Sequence, residues 1–207
     1  MDIGISTLIY SNFCNCGRDS DLFTALEKLS KMGYKYIEYS DQSVPHLFSL
    51  ENSEIRKILQ HVSCLDLEIQ SIHIPCTQLP NADIGSIDRK LREKSMEIVK
   101  RSLDACQSLK VKYAVIHPGG HRENFADIGI LNQVKENYFE SLRIICDYLQ
   151  KSDVKLVIEN GGSELSTIKA IIETINLVNK DKIEICIDTG HANGAGKSNV
   201  FLIFDGG

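Results

Sequence analysis

Short apolar runs alternate with longer segments of helical spacing along the whole chain. Six runs predict strands: 3–7 ("IGIST"), 35–40 ("KYIEYS"), 68–74 ("EIQSIHI"), 112–118 ("KYAVIHP"), 155–160 ("KLVIEN") and 183–188 ("IEICID"). Between them, apolar residues recur every three or four positions, the signature of a one-sided helix. Leu22, Ala25, Leu26, Leu29 and Met32 make one such face, with Gly33 as its stop signal. Ile55, Ile58, Leu59 and Val62 make a second, and Ile87, Leu91, Ile98, Ala105 and Leu109 a third. Leu131, Val134, Tyr138, Leu142, Ile145 and Leu149 form the fourth, and Ile168, Ile171, Ile172 and Ile175 the fifth. Strict β–α alternation implies a parallel sheet with right-handed crossovers. With no linker or low-complexity tract in view, residues 1–207 read as one domain.

The strand ends carry the chemistry. Side chains alternate faces along a strand. Five consecutive strands place an ionisable residue near their C-terminal end: Glu38, His73, His117, Glu159 and Asp188. A charged residue there often marks only the exit to solvent. In a closed β/α barrel, however, these ends ring one mouth, where the active sites of such folds lie. The rival is an open doubly wound sheet, which calls for a glycine-rich phosphate turn after the first strand. "STLIYSNFCNCG" offers none.

Composition narrows the class. The chain is 43% hydrophobic and 25% charged, ordinary for a globular protein with a real core. No apolar run reaches a membrane span, and the first residues lack the basic flank of a signal peptide. The expectation is therefore a cytoplasmic protein that does not enter membranes. Its seven cysteines include no CxxC pair and read as reduced thiols, mostly core; the CxC of Cys14 and Cys16 reads as a loop. A net charge of −5 without a Lys/Arg cluster argues against a phosphate-gripping surface.

His, Glu and Asp at one mouth suit a divalent metal. Imidazole mixed with carboxylate favours Zn²⁺ or Mn²⁺, with Mg²⁺ and Co²⁺ admissible. In "CIDTGHANGAG", Asp188 and His191 stand three apart across a turn, so both reach one pocket. His191 is then either a ligand or a donor to a substrate oxygen. His121 in "HPGGHREN" and Asn193 are candidate substrate contacts, as is Glu38, while His46 and His61 read as surface residues. The glycines after the last three strands allow close approach of a ligand to backbone, although turn duty also accounts for them.

"SIHIPCTQLPNAD", "LREKS", "VIHPGG", "VIENGG" and "CIDTGHANGAG" resemble, in order, the xylose-isomerase-like TIM barrels, a superfamily that holds endonuclease IV and the sugar isomerases and epimerases. The resemblance implies a TIM-type parallel β/α barrel and places Glu159 and Asp188 at metal positions common to both branches. It places His73, His117 and His191 where the endonuclease branch holds a zinc cluster. In the epimerase branch the residue matching Glu159 also serves as acid and base, and the one matching His191 contacts substrate. Against the family's eight strands the sequence supplies six, so the expected barrel is incomplete, six of eight βα units, and short at its C-terminal side. Missing strands would withhold the acid that faces Glu159, and would leave the first and sixth strand edges open to another copy of the chain.

The leading expectation is a metal-dependent sugar or sugar-phosphate isomerase/epimerase-like protein. The metal polarises a carbonyl and Glu159, with His191, moves the alpha proton. The substrate is then a small sugar, not nucleic acid. The alternatives are a zinc-dependent abasic-site nuclease of the endonuclease IV type, and an inactive barrel or binding module.

Overall fold

The computed structural model describes residues 3–10, 21–40, 46–75, 83–120, 123, 125–178 and 181–194. They form two compact units: Met1–Pro75 with Ile98–Ala114 and Ser152–Val154, and Cys76–Glu97 with Val115–Lys151 and Lys155–Gly207.

The first unit holds β1 (Gly4–Ser6), α1 (Leu22–Lys31), β2 (Tyr36–Ser40), α2 (Asn52–Cys64) and β3 (Glu68–His73). β1, β2 and β3 pair in parallel, in chain order. Helix α1 starts at Asp21, whose side chain accepts from the Thr24 N–H, and ends where Gly33 takes φ 85°. The Tyr34 and Gly33 N–H groups then satisfy the Leu29 and Ser30 carbonyls. Helix α2 ends in the same motif, as does α3 (Arg89–Ser108), but with Asp66 (φ 53°) and Lys110 (φ 59°) in the left-handed position.

β4 (Tyr113–Ile116) continues the strand order, its first half in the first unit and its second half in the other. α3 (Arg89–Ser108) is likewise divided. The second unit adds α4 (Ile128–Tyr148), β5 (Lys155–Glu159), α5 (Ile168–Leu177), β6 (Ile183–Cys186) and α6 (Thr189–Gly194). β5 and β6 are parallel, with Ile158 opposite Ile185 and Glu159 opposite Cys186. The sheet thus runs β1 to β6 in sequence order, as β–α alternation requires. β5 is buried almost throughout, whereas β6, last in that order, is mostly half-buried.

The apolar stripe of α4 is buried as its spacing predicts. Three other faces differ. Met32 is exposed, because it is the C-cap residue of α1 and no longer on the helix face. Ile172 is exposed because Ile168, Ile171 and Thr174 already fill the inward face of α5. On α3 the buried side chains include Ser95, Met96, Val99, Ser102, Leu103 and Cys106, while Ile87 precedes the helix and is exposed.

Among the described residues no helix is long and apolar enough to cross a membrane. Four described cysteines are free thiols: Cys106 and Cys146 are buried, Cys186 is half-buried and Cys64 is exposed. Burial pushes the Cys146 thiol up to about 11, which keeps it protonated and unreactive.

Candidate metal centre

The second unit gathers four of the expected site residues: His117 after β4, Glu159 at the end of β5, Asp188 after β6, and His191 in α6. Glu159 is the buried centre. Its Oε1 lies 3.2 Å from His191 Nδ1 and its Oε2 lies 3.7 Å from His117 Nε2. The two imidazole rings stand edge to face, 5.7 Å apart. Each oxygen of one carboxylate therefore faces a different histidine.

α6 replaces the expected turn. Asp188 Oδ1 accepts the His191 N–H at 2.6 Å, and its carbonyl accepts the Ala192 N–H. The spacing of three is thus that of a helix-capping aspartate and the third residue it caps. Its other oxygen, Oδ2, stays toward the site, 3.9 Å from His191 Nδ1.

Asn160 builds the rest, and sequence reading gave it no role. Its side-chain Oδ1 accepts the Asp188 N–H at 2.7 Å and its Nδ2 donates to the Asp188 carbonyl at 3.0 Å. This amide bonds both backbone groups of Asp188, two residues past the end of β6 at Cys186. The Asn160 carbonyl oxygen lies 2.9 Å from His191 Nδ1. The same ring nitrogen faces Glu159 Oε1 and Asp188 Oδ2, so it is the nitrogen that His191 turns toward the site.

Glu159, Asp188 and His191 each offer a ligand atom within 4.8 Å of the others. Donor atoms around a tetrahedral ion with bonds of ~2.1 Å stand about 3.4 Å apart, so modest side-chain closure suffices. The set of two imidazoles and two carboxylates matches a borderline metal such as zinc or manganese.

Burial pushes the Asp188 carboxyl up, but the His191 N–H, the His191 ring, Glu159 and the Gly190 N–H together hold it below its ordinary value. A lowered folded-state pKa stabilises the fold above the unfolded value and loses that contribution as pH falls through the folded value. Asp188→Asn should therefore flatten the acid side of a melting-temperature-versus-pH curve measured without metal. An acid side as steep as wild type would contradict the pairing.

Of the remaining candidates, Glu38 and His73 lie in the first unit. Glu38 sits opposite Ser71, whose hydroxyl donates to Glu38 Oε2 at 3.0 Å, and His73 ends β3 opposite Ser40. A register shift between Ile37 and Glu38 sets this pairing, which puts Glu38 and Ser40 opposite Ser71 and His73. Asn193 is exposed on α6. His121, Cys14 and Cys16 lie outside the described residues. His61 is half-buried, edge-on to the Phe23 ring on the helical side of the first unit.

Parallel β/α order and a carboxylate–imidazole cluster beyond the strand C-termini define a barrel-type β/α protein with a site of the kind divalent metals take. Residues 26–204 match the family described as xylose isomerase-like TIM barrel, and the chain belongs to that family. Among curated relatives, the probable endonuclease 4 of Campylobacter hominis is 28% identical over 152 residues, covering 71% of this chain and 51% of the relative. The probable endonuclease 4 of Thermosipho melanesiensis is 31% identical over 120 residues, 55% of this chain and 40% of the relative. The chain thus spans about half the length of the curated relatives it matches, or less. Among solved structures, a D-tagatose 3-epimerase-like protein superposes with TM-score 0.73 at 20% identity, covering 95% of this chain and 68% of the other. A D-psicose 3-epimerase in the presence of D-fructose superposes with TM-score 0.76 at 16% identity, covering 96% and 67%. At such identity these two share the fold. Six strands in barrel order agree with the incomplete barrel expected from sequence.

Proposed function

We propose that His117, Glu159, Asp188 and His191 hold divalent metal, and that the site serves phosphodiester hydrolysis of the endonuclease 4 type at abasic DNA. The observation that carries this reading is the Glu159 carboxylate, buried with one imidazole facing each oxygen. Such a carboxylate would serve as a metal ligand beside these imidazoles, and divalent metal held there would supply an activated water and stabilise the leaving oxygen. The chain's own part is orientation. Asn160 holds the Asp188 backbone and stands against His191 Nδ1, and burial shields Glu159 from competing solvent. The two curated relatives described above bear the name probable endonuclease 4, which supports this reading ahead of the sugar isomerase expected from sequence.

The second reading, a metal-dependent sugar isomerase or epimerase with Glu159 as proton carrier, is favoured by the net charge of −5. A protein that neutralises many phosphates has affinity that falls steeply with salt. The 207-residue chain, stripped with chelator and reloaded with Zn²⁺ or Mn²⁺, should cleave an abasic duplex and spare an intact one. Turnover of keto sugars without cleavage of abasic duplex would replace the nuclease by the isomerase. Absence of metal uptake would remove both.

A further inference from the structure

Asp83, in the segment before α3, is a buried carboxylate outside the metal cluster. Its Oδ1 accepts two backbone N–H groups, Gly85 at 2.9 Å and Gly120 at 2.7 Å. Its own N–H donates to Ser95 Oγ at 2.6 Å, and that hydroxyl donates to the Leu91 carbonyl, so the residue is anchored to the first two turns of α3. Among the described residues Oδ2 is buried without a hydrogen-bond partner, an unfavourable placement against which the two N–H bonds at Oδ1 act.

Those bonds reach the turn that carries His117. Gly120 stands three residues after it, with Pro118 between fixing one backbone angle. The contact is reciprocated: Glu123, on the same turn, accepts from Ser86 Oγ and the Ile87 N–H, each at 3.3 Å. The backbones of Gly85 and Gly119 also approach closely, so that a Cβ on Gly119 would fall 2.4 Å from the Gly85 nitrogen. The segment before α3 thus meets the stretch after β4 at Gly119, Gly120 and Glu123.

We propose that Asp83 is a positioning residue of the metal site: through Gly120 it sets the 117–120 turn and so holds the His117 ring against Glu159. The proposal deepens the metal-site reading above and rests on it for its consequence, though not for its geometry.

The test uses the whole 207-residue chain as wild type, Asp83→Ala, Asp83→Asn, and Ile145→Val as a control that loosens the same unit's core elsewhere. Two quantities are read: Zn²⁺ affinity by calorimetry, and the through-space NMR contact between the His117 and His191 rings in metal-free protein. Asp83→Asn, whose amide oxygen still accepts both N–H bonds, should stay within about threefold of wild-type affinity, while Asp83→Ala loses about tenfold or more, the scale of removing a partner behind a metal ligand. Asp83→Ala should also lose the ring contact; Ile145→Val should melt earlier yet keep contact and affinity. A ring contact unchanged in Asp83→Ala overturns the proposal. If wild type takes up no zinc, the metal reading falls and the ring contact alone decides the role of Asp83. Should Asp83→Ala not fold, Asp83→Ser, too short to reach both N–H groups, is read the same way.

Discussion

Glu159→Ala should lower divalent-metal affinity by about a hundredfold or more, since loss of mere supporting partners already costs ~10–100-fold. Glu159 faces both histidines of the cluster, one through each carboxylate oxygen, so its removal withdraws the central ligand. Mass action makes the effect visible without an activity assay. A metal that binds only the folded chain adds about 2.7 kcal/mol of stability when present at a hundred times its dissociation constant. The wild-type melting temperature should climb with added Zn²⁺, and the variant's should not. Glu159→Gln is the sharper comparison. The amide keeps the volume of the buried side chain while withdrawing the charge that metal binding needs, so the metal-free melt should shift less than in Glu159→Ala while the metal-dependent rise is still lost. A Glu159→Ala protein that retains the rise would place the metal elsewhere.

How much of this site was legible in the sequence follows from the range of each interaction. The strands were readable because each is an apolar run that closes on a polar residue, and the parity of Glu159 and His117 within those runs pointed them to a shared end. Register was not readable. Nothing in "KYIEYS" announces the shift after Ile37 that pairs Glu38 with Ser71. Helix ends were half legible. The stop of α1 is written as glycine, whereas Asp66 and Lys110 do the same duty at α2 and α3 without the residue that signals it. The buried face of α3 escaped hydrophobic periodicity because Ser95 and Ser102, both fully buried, occupy part of it. Ser95 is there for its hydrogen bonds and not for its apolar area.

The short helix α6 is not legible as a helix because six residues with two glycines carry no periodicity. Asn160 and Asp83 are illegible for a different reason: the partners that give them their roles, Asp188 and Gly120, lie 28 and 37 positions away, and only the bond from Gly85 to Asp83 is local. A polar residue directly after a buried strand acid, as in "VIEN", is the one signal that pointed toward Asn160.

The largest stability effect is expected at Gly119. A Cβ there would stand 2.4 Å from the Gly85 nitrogen and 2.8 Å from Asp83 Oδ1. The first of these is backbone and the second is held by two N–H bonds, so neither neighbour can swing aside as a flexible side chain would. Overpacking a well-filled interior costs about 1–3 kcal/mol and occasionally more; with a rigid partner on both sides Gly119→Ala should sit at or above the top of that range. For a chain of this size each kcal/mol moves the melting temperature by roughly 2–4 °C, so a drop of about 6–12 °C is expected. Gly162→Ala supplies the contrast, since a Cβ there meets nothing within 4 Å and should leave the melt nearly unchanged. Equal melts for the two variants would mean that the segment before α3 does not press on the turn after β4. With that contact absent, His117 would have no firm support behind it, and metal affinity would be equally indifferent to Gly119. If the contact is real, the surviving folded fraction of Gly119→Ala should bind Zn²⁺ more weakly than Gly162→Ala, because relief of the clash can come only by moving the turn that bears the ligand.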